Sequence, residues 1–325
     1  MKMKRRELLR AGLAGAGAAM TAMPAAAQNF PNKPVRWIVP FAPGGNYDVT
    51  SRIVGEVMAR RLGQTVLVDN RPGAGGVVGL EATVAAPADG YAVVMGSFSV
   101  LGVAPYMAGK PSMVPLFAPI SLLTTVPTLI VTRADSRFTD IKSALAEAKA
   151  KPGTVSIGHP GNGTINHIGI LSLQANEDVK FNVIPYKGSG PGLADLVAGQ
   201  IDLYTDQLTT SLPHIRAGKL RPLLILGSDR ISQLPHAPSL KDIGTKPFDA
   251  STTAGVLARA ETPAAALDVL NAAVVAALED NEVKRKLVDL GAEVRPTSRA
   301  DFAAHLKDME AVVAELVKSG LLKPE

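Results

Sequence analysis

Short apolar runs alternate with longer amphipathic stretches along this chain from residue 28 onward. Residues 35–39 have the β-branched character of a strand, and residues 47–62 carry an apolar stripe that includes Ile53 and Val57 at helical spacing. This alternation is typical of βαβ units, in which a helix crosses between neighbouring parallel strands. It therefore predicts an α/β fold built on a mostly parallel sheet.

The same alternation predicts most of the remaining elements. Further strands are expected at residues 65–68, 92–95, 129–132, 155–157, 181–184, 203–205 and 253–257. Further helices are expected at residues 78–86, 141–150, 165–174, 192–198, 263–278, 282–290 and 299–319. Two α/β units of similar pattern, the second beginning near Pro127, suggest two lobes with a cleft between them, where small molecules usually bind.

The composition excludes several classes of protein. With 325 residues, 46% of them hydrophobic and 19% charged, the chain is expected to fold rather than to remain disordered. The absence of cysteine excludes disulfides, thiolate metal sites and a cysteine nucleophile. Most of the formal net charge of +5 lies in residues 1–27, and the nearly neutral remainder offers no surface for a nucleic acid.

Residues 1–27 have the features of an export signal. Two arginines at residues 5–6 precede an apolar stretch at residues 11–23, and three alanines then form an A-x-A cleavage site. The arginine pair fits the twin-arginine route as well as the general secretory route, so both stay open. Because the apolar stretch is shorter than the about 20 residues that span a bilayer, we expect a periplasmic protein, cleaved between Ala27 and Gln28 and not anchored in the membrane.

Three glycine-rich loops follow predicted strands, at residues 40–48, 159–164 and 186–190. Glycine lets backbone N–H groups approach a ligand closely, and a helix N-terminus adds partial positive charge, so each loop suits a carboxylate or phosphate. Loops at strand C-termini in both lobes are expected to converge on one cleft. None of them matches the P-loop or the dinucleotide-binding pattern, so no nucleotide cofactor is expected.

Motifs for catalysis and for metal binding are also missing. The sequence has no G-x-S-x-G nucleophile elbow, and its five histidines never show the spacing of a metal site. We therefore expect no catalytic residue, no metal and no cofactor. His167 lies one helical turn after Thr164, where ligand contact and a local capping role are both open. An α/β hydrolase or lyase that uses Ser97, Ser189 or His167 stays open as an alternative, because residues distant in sequence can meet in space.

Six motifs in one order resemble those of the Bug receptors, the periplasmic solute-binding proteins of tripartite tricarboxylate transporters. The motifs are P-F-x-P-G-G-x-x-D at residues 40–48, V-x-N-R-P-G-A-G-G at 68–76, A-P-A-D-G-Y at 86–91, G-N-G-T-x-x-H at 161–167, P-Y-K-G-S-G-P at 185–191 and L-P-H-I-R-A-G-K-L-R at 212–221. The similarity extends from about residue 30 to the C-terminus.

This resemblance implies a two-lobe fold of the periplasmic binding protein type, type II-like, which closes as a Venus flytrap on a ligand in the cleft. The first lobe would comprise residues 28–127 and 249–325, and the second residues 128–248. Members of the family hold a carboxylate with backbone amides and ordered waters at the glycine loops of both lobes.

The family's site positions can be matched to residues of this chain. In the first loop they are Phe41, Gly44, Gly45 and Asp48; in the second they are Gly161, Asn162, Gly163, Thr164 and His167; and Asp206 matches a strand end that commonly faces the cleft. An acidic side chain at an anion loop is expected to select a donor-bearing group on the ligand, which gives Asp48 a predicted role in ligand choice.

Other candidate ligand contacts lie where the sequence departs from the family pattern or in the third glycine loop. They are Asn46, Tyr47, Ser97, Phe98, His159 and Gly188. The ring of Tyr47 could narrow the pocket or stack on a ring of the ligand. Because the three loops carry no arginine, backbone amides rather than a guanidinium are the expected partners of the carboxylate.

The expected function is that of a non-enzymatic receptor for a small carboxylate, either an organic acid, an aromatic acid or an amino acid. Its expected partners are the permease subunits of a membrane transporter, and a sensor protein that signals without transport is the alternative.

Overall fold

The structure is a computed structural model that describes residues 30–324. The predicted export signal and its cleavage site lie outside these residues. Along residues 30–324 no helix is both long enough and apolar enough to cross a membrane.

The described chain forms two sheets. The first contains β1 (Val35–Val39), β2 (Val66–Asn70), β3 (Ala92–Gly96), β4 (Phe117–Val126), β10 (Thr252–Arg259) and β11 (Glu293–Val294), in the order β11-β4-β10-β3-β1-β2. The second contains β5 (Thr128–Arg133), β6 (Ser156–His159), β7 (Asn182–Pro185), β8 (Leu203–Gln207) and β9 (Leu220–Ile225), in the order β7-β6-β8-β5-β9. We call the parts built on these sheets the first and the second lobe; their boundaries at residues 127/128 and 248/249 stay a prediction.

Ten α-helices accompany the sheets in this part of the chain. They are α1 (Asn46–Leu62), α2 (Val77–Val84), α3 (Ala104–Met107), α4 (Ile141–Ala150), α5 (Ile165–Glu177), α6 (Ser189–Val197), α7 (Leu208–Arg216), α8 (Ala264–Glu279), α9 (Asn281–Asp289) and α10 (Arg299–Lys318). A π-helical turn, Ser99–Val103, leads from β3 towards α3.

Both sheets are mixed, so the prediction of a mostly parallel sheet is wrong. Strand β1 runs parallel to β2 and β3, and β6 runs parallel to β7 and β8, as the βαβ pattern requires. In contrast, β10 is antiparallel to β3 and β4, and β5 is antiparallel to β8 and β9. Only a crossover helix forces two strands to run parallel, and strands that enter a sheet from the other lobe have none.

The innermost strands position the polar residues of the site. Every residue of β3 and β8 is buried. A strand buried on both faces is normally apolar throughout, and β3 follows that rule. Strand β8 instead ends in Asp206 and Gln207, whose polar atoms must find partners inside the protein.

Candidate ligand site between the two sheets

A cavity lies between the lobes and is lined by residues of both. From the first lobe it is lined by Phe41, Gly45, Asn46, Tyr47, Ser99, Val100 and Thr252. From the second lobe it is lined by Pro160, Thr164, Ile165, Asn166, Ser189 and Gln207. All thirteen side chains are uncharged, so any charge on a ligand has to be stabilised by dipoles.

Four helices begin at the wall of this cavity. Helix α1 begins at Asn46, α5 follows Thr164, α6 begins at Ser189, and α7 follows Gln207. The first N–H groups of a helix have no partner within the helix, and the helix dipole places partial positive charge at that end. Four such ends favour an anion in the cavity without any cationic side chain.

Two asparagines of the lining carry buried amide donors that have no hydrogen-bond partner within residues 30–324. They are the Nδ2 atoms of Asn46 and Asn166, whose side chains are 3% and 0% exposed. Leaving such a donor unsatisfied costs about 1–3 kcal/mol. An oxygen of a bound ligand would remove that cost, so these atoms mark where ligand acceptors are needed.

The carboxamide oxygens of both asparagines are already engaged. Asn46 Oδ1 accepts a hydrogen bond from Thr209 Oγ1 at 2.9 Å, across the two lobes. Asn166 Oδ1 accepts from Gln207 Nε2 at 2.7 Å, and the same Nε2 lies 3.1 Å from Thr252 Oγ1 of the first lobe. These bonds orient each carboxamide so that its Nδ2 is the atom left for a ligand.

Behind the first glycine loop, Asp48 holds the backbone in place. Its carboxylate accepts the Gly44 N–H at 3.0 Å and pairs with the Arg52 guanidinium at 2.8 Å. Asn70 accepts from Arg52 at 3.2 Å and donates to the Phe41 carbonyl at 3.0 Å. Burial raises the pKa of Asp48, but these hydrogen bonds outweigh it and hold the pKa below its usual value. Asp48 is therefore ionised and positions the loop.

Behind the second glycine loop, two histidine rings stack in parallel, 4.4 Å apart. His159 Nδ1 accepts the Gly161 N–H at 3.2 Å, and His167 Nδ1 accepts the Gly163 N–H at 3.3 Å. Burial lowers the pKa of His159 to about 3, with a contribution from its neighbour, and lowers the pKa of His167 to about 4. Both rings are therefore neutral near pH 7, and each uses an unprotonated Nδ1 to hold the loop.

The lobes touch directly on both sides of the cavity. The Ala42 N–H donates to the Lys187 carbonyl at 2.8 Å. The backbones approach so closely that a Cβ on Gly75 would collide with the Asn162 carbonyl, and one on Gly190 with the Pro43 carbonyl. These two glycine contacts define what we call the closure seams, and they show that the structure is a closed form.

The predicted site residues fall into three groups. Phe41, Gly45, Asn46, Tyr47 and Thr164 line the cavity. Gly44, Gly161, Asn162, Gly163 and Gly188 lie where the lobes meet, at the closure seams or beside them. Asp48, Ser97, Phe98, His159, His167 and Asp206 lie outside the lining.

Three of the residues outside the cavity lining contact neighbouring residues; they are Ser97, Asp206 and Phe98. Ser97 Oγ lies 2.9 Å from Ser99 Oγ and hydrogen-bonds to Tyr47, whose pKa is raised by burial. Asp206 Oδ2 accepts the hydroxyls of Thr210 and Ser211, both at 2.6 Å. Burial raises the pKa of Asp206 above its usual value, although these hydroxyls lower it. Phe98 packs against Gly102.

Eight residues of the lining were not among the predicted ligand contacts. They are Ser99, Val100, Pro160, Ile165, Asn166, Ser189, Gln207 and Thr252. Asn166 could have been found, because it lies in the first turn of a predicted helix directly after a glycine loop. Gln207 and Thr252 carry no such signal, since only their position at the ends of strands from opposite lobes brings them together.

The geometry does not support the hydrolase alternative. His167 Nδ1 is used by the Gly163 N–H, Ser97 pairs with Ser99, and Ser189 Oγ lies 3.4 Å from Gln207 Oε1. None of these serines is hydrogen-bonded to an imidazole base in the described part of the chain, as a serine nucleophile would require. Between residues 30 and 324 there is also no cluster of three or more potential metal ligands from His, Cys, Asp and Glu.

The chain is similar to known proteins of one receptor family. The family model described as tripartite tricarboxylate transporter family receptor matches residues 50–320. The structure of the periplasmic binding protein BugD is similar with a TM-score of 0.86 and 31% sequence identity, and the match covers 91% of this chain and 100% of that one.

Two further solved structures contain a ligand. MatC from Rhodopseudomonas palustris with bound malate has a TM-score of 0.80 and 30% identity, over 86% of this chain and 97% of that one. A second R. palustris protein, solved with adipate, has a TM-score of 0.85 and 27% identity, over 91% of this chain and 100% of that one. These relatives are two-lobed binding receptors rather than enzymes, and this chain belongs to the tripartite tricarboxylate transporter receptor family.

Proposed function

We propose that this protein captures a small organic acid between its lobes in the periplasm and presents it to the membrane subunits of a tripartite tricarboxylate transporter. One observation carries the proposal: four helix N-termini and the unpartnered amides of Asn46 and Asn166 surround one uncharged cavity. The malate and adipate bound to the two R. palustris relatives support a carboxylate as the ligand.

The arrangement couples binding to closure. Asn46 belongs to the first lobe and Asn166 to the second, so an acid that accepts from both donors contacts both lobes at once. A ligand shifts a protein towards the state that it binds more tightly. An acid that binds both donors would therefore stabilise the closed form, which the transporter would recognise.

The first test is to identify what the purified protein binds. We expect native mass spectrometry to show one intact organic acid per chain, and isothermal titration with a panel that includes malate and adipate to give saturable binding. A protein that binds no acid of a broad carboxylate panel and shows no shift in melting temperature would contradict the proposal. Chemical conversion of the bound acid would support an enzyme instead.

Variants of the two asparagines test the site itself. Asn46→Ala and Asn166→Ala each remove one donor, which we expect to weaken binding at least about tenfold, since a hydrogen bond to a charged acceptor contributes about 1.5–3 kcal/mol. Asn182→Ala is the matched control, because Asn182 is exposed on β7. Equal affinity of all three variants would show that neither Asn46 nor Asn166 contacts the ligand.

Export and transport need their own measurements. We expect the mature protein to be recovered from the periplasmic fraction with its N-terminus at Gln28, as intact mass and N-terminal sequencing would show. Uptake of the labelled acid should require both this protein and the membrane subunits. A response to the acid that persists without those subunits, with no uptake, would instead favour a sensor.

A further inference from the structure

We infer that capture of the acid takes up one proton from the solvent, and that this proton binds to Asp206 behind the wall of the cavity. The inference rests on the proposed function and concerns the regulation of the same site, since it makes the affinity for the acid fall as the pH rises. It follows from the place of this carboxyl group, from the partners that its two oxygens have and lack, and from the charge that an acid brings.

Asp206 lies directly behind the cavity wall without being part of it. It is a residue of β8 with an exposed fraction of 0%, and the next residue, Gln207, belongs to the lining. The hydroxyl of Ser189, another lining residue, hydrogen-bonds to the Asp206 carboxyl group. One side chain of the lining therefore connects this buried carboxyl group to a ligand in the cavity.

The carboxyl group of Asp206 has polar partners but no cation. The groups that hydrogen-bond to it are the hydroxyls of Ser189, Thr210 and Ser211 and the backbone N–H of Gln207. Oδ2 accepts two of these hydroxyls, whereas the buried Oδ1 has no hydrogen-bond partner within residues 30–324. An ionised carboxyl group without a cation is costly to bury. Oδ1 is therefore the atom at which a proton can be added without breaking a hydrogen bond.

The titratable side chains nearest to Asp206 are neutral. Tyr204 lies on the same strand, and burial raises its pKa well above the ordinary value. His159 of the neighbouring β6 and His167 of α5 have pKa values of about 3 and about 4, lowered by burial. On β5 the residue paired with Asp206 is Leu129. None of these groups supplies a positive charge near pH 7.

Charged residues on the elements packed against β8 lie at their far ends and have other partners. Arg133 of β5 pairs with Asp135, and Asp195 of α6 accepts from the Tyr186 hydroxyl. At the last residues of α7 and α5, Arg216 donates to the Asp289 carbonyl, and Glu177 accepts from the Thr245 hydroxyl. The charge that changes beside Asp206 is therefore that of the ligand.

A bound acid changes the protonation that Asp206 favours. An ionised Asp206 draws the hydroxyl hydrogen of Ser189 towards itself, so that Ser189 turns its lone pairs to the cavity. A ligand carboxylate then meets those lone pairs and a like charge behind them, and a like charge raises the pKa of a carboxyl group. A solvent proton on Oδ1 removes the charge and frees the Ser189 hydroxyl to donate to the ligand. One acid anion and one proton are thus bound together.

Isothermal titration counts the proton. The wild-type protein would be titrated with malate and with adipate in buffers of different ionisation enthalpy, between about pH 5.5 and about pH 8. The dependence of the observed enthalpy on that of the buffer gives the number of protons taken up. We expect a maximum of at least about half a proton per acid, and an affinity that falls with rising pH by up to about tenfold per pH unit.

Two negative outcomes can be told apart. A smaller uptake at every pH, with an affinity independent of pH, would overturn the inference and leave the proposed function intact. Absence of binding by malate, adipate and every other acid of a broad carboxylate panel would overturn both.

An isosteric variant assigns the proton to Asp206. Asp206→Asn resembles the protonated state, because its oxygen can still accept hydroxyls while its amide carries hydrogens. We expect it to bind the acid as tightly as the wild type at about pH 5.5 and at least about threefold more tightly at about pH 8, without proton uptake. Asp178→Asn, at an exposed carboxylate of the same lobe, is the control and should keep the wild-type uptake. Uptake that persists in Asp206→Asn would overturn the assignment.

Infrared difference spectroscopy on the wild-type protein keeps the inference testable if Asp206→Asn does not fold. A protonated carboxyl group has a C=O band distinct from the bands of a carboxylate, and a ¹³C-labelled acid separates the ligand's own bands from those of the protein. We expect the band of a protonated carboxyl group of the protein to increase when the acid binds. A spectrum without that increase, at the pH of greatest uptake, would overturn the inference.

Discussion

Asp48 shows how a carboxylate at an anion-binding loop can act without touching the anion. The sequence places it in the family's loop motif and suggests that it selects the ligand. In the structure its oxygens accept from Arg52 and from the Gly44 N–H, and it lies outside the cavity lining. The geometry supports a positioning residue that keeps the loop amides in place.

This position leads to the first prediction. Asp48→Ala leaves the Gly44 N–H and the Arg52 guanidinium without their partner, so we expect a loss of about 1–3 kcal/mol in the free energy of unfolding, measured in urea. Binding should weaken while the order of affinity among acids stays the same. The control is Glu56→Ala, which removes an exposed ion pair with Arg60 on the same helix and should cost about 0.5 kcal/mol or less. A changed order of affinity would place Asp48 in contact with the ligand.

The second prediction concerns the stacked histidines. Burial lowers the pKa of His159 to about 3 and of His167 to about 4, from the ordinary histidine value of 6.5. Between pH 6.5 and about 4.5 the unfolded state therefore binds more protons, and both histidines make the free energy of unfolding fall as the pH falls. Asp206, whose pKa burial raises, acts in the opposite direction.

We expect His167→Gln to reduce that pH slope by up to about 1.4 kcal/mol per pH unit, because glutamine does not titrate. Urea unfolding at several pH values measures the slope for each variant. His236→Gln, at an exposed histidine, should leave it unchanged. An unchanged slope in His167→Gln would mean that His167 is not held neutral in the folded protein.

At the closure seams the backbones of the two lobes lie so close together that a side chain in place of either glycine would prevent the contact. Gly190 lies in the first turn of α6, where alanine would normally be favourable, yet its Cα faces the Pro43 carbonyl of the other lobe. The glycine is therefore needed for the contact between lobes rather than for the helix.

The third prediction follows from this contact. Gly190→Ala should leave the free energy of unfolding unchanged or raise it by up to about 1 kcal/mol, since alanine suits a helix better than glycine. It should weaken ligand binding at least about tenfold, because the closed form becomes strained. Gly55→Ala is the control: it lies inside α1, where an added Cβ would meet Val66 at 3.4 Å within the same lobe. Unchanged affinity in Gly190→Ala would show that closure does not need this approach.

Strands and helices whose own residues show a regular hydrophobic period were predicted well. Those that depend on contacts with distant parts of the chain were missed. Strand β1 and helix α4 have the predicted bounds, because their residues show a clear strand or helix period. The ten-residue strand β4 was missed: it contains Pro119, lacks alternation and is completed by β10, more than 100 residues away. Helix α7 was also missed, since Pro213 lies within it and its first turn carries Thr209 and Thr210.

For the whole molecule, the closure seams and the hydrogen bonds across the lobes describe a closed arrangement. Ala42, Asn46 and Thr252 of the first lobe each hydrogen-bond to the second lobe. These hydrogen bonds join the two lobes in the closed form, as expected where a ligand site lies between two lobes.

The fourth prediction is a change of overall size with ligand. The closed protein without its first 27 residues should have a radius of gyration of about 19 Å, as for a compact chain of about 300 residues. We expect small-angle X-ray scattering to give this value with a bound acid and a larger one without it. The control is the Asn46→Asp variant, which should stay expanded at the same acid concentration. Identical scattering of the wild-type protein with and without ligand would contradict closure.

The sequence alone determined the features that depend on neighbouring residues. These are the α/β alternation, the glycine loops at strand ends, and the family that the six motifs indicate. Each follows from periods of a few residues or from the backbone freedom of glycine, so no distant contact is needed to recognise it.

Only the tertiary structure decided which side chains line the cavity. Asn46 meets Thr209 across 163 positions of the chain, and Gln207 meets Thr252 across 45. Those contacts exist only after two sheets have formed and closed on each other, and they turn two amide donors to the cavity while Asp48 faces Arg52. The direction of a side chain at the end of a strand or helix depends on its tertiary contacts, and no local sequence pattern specifies those contacts.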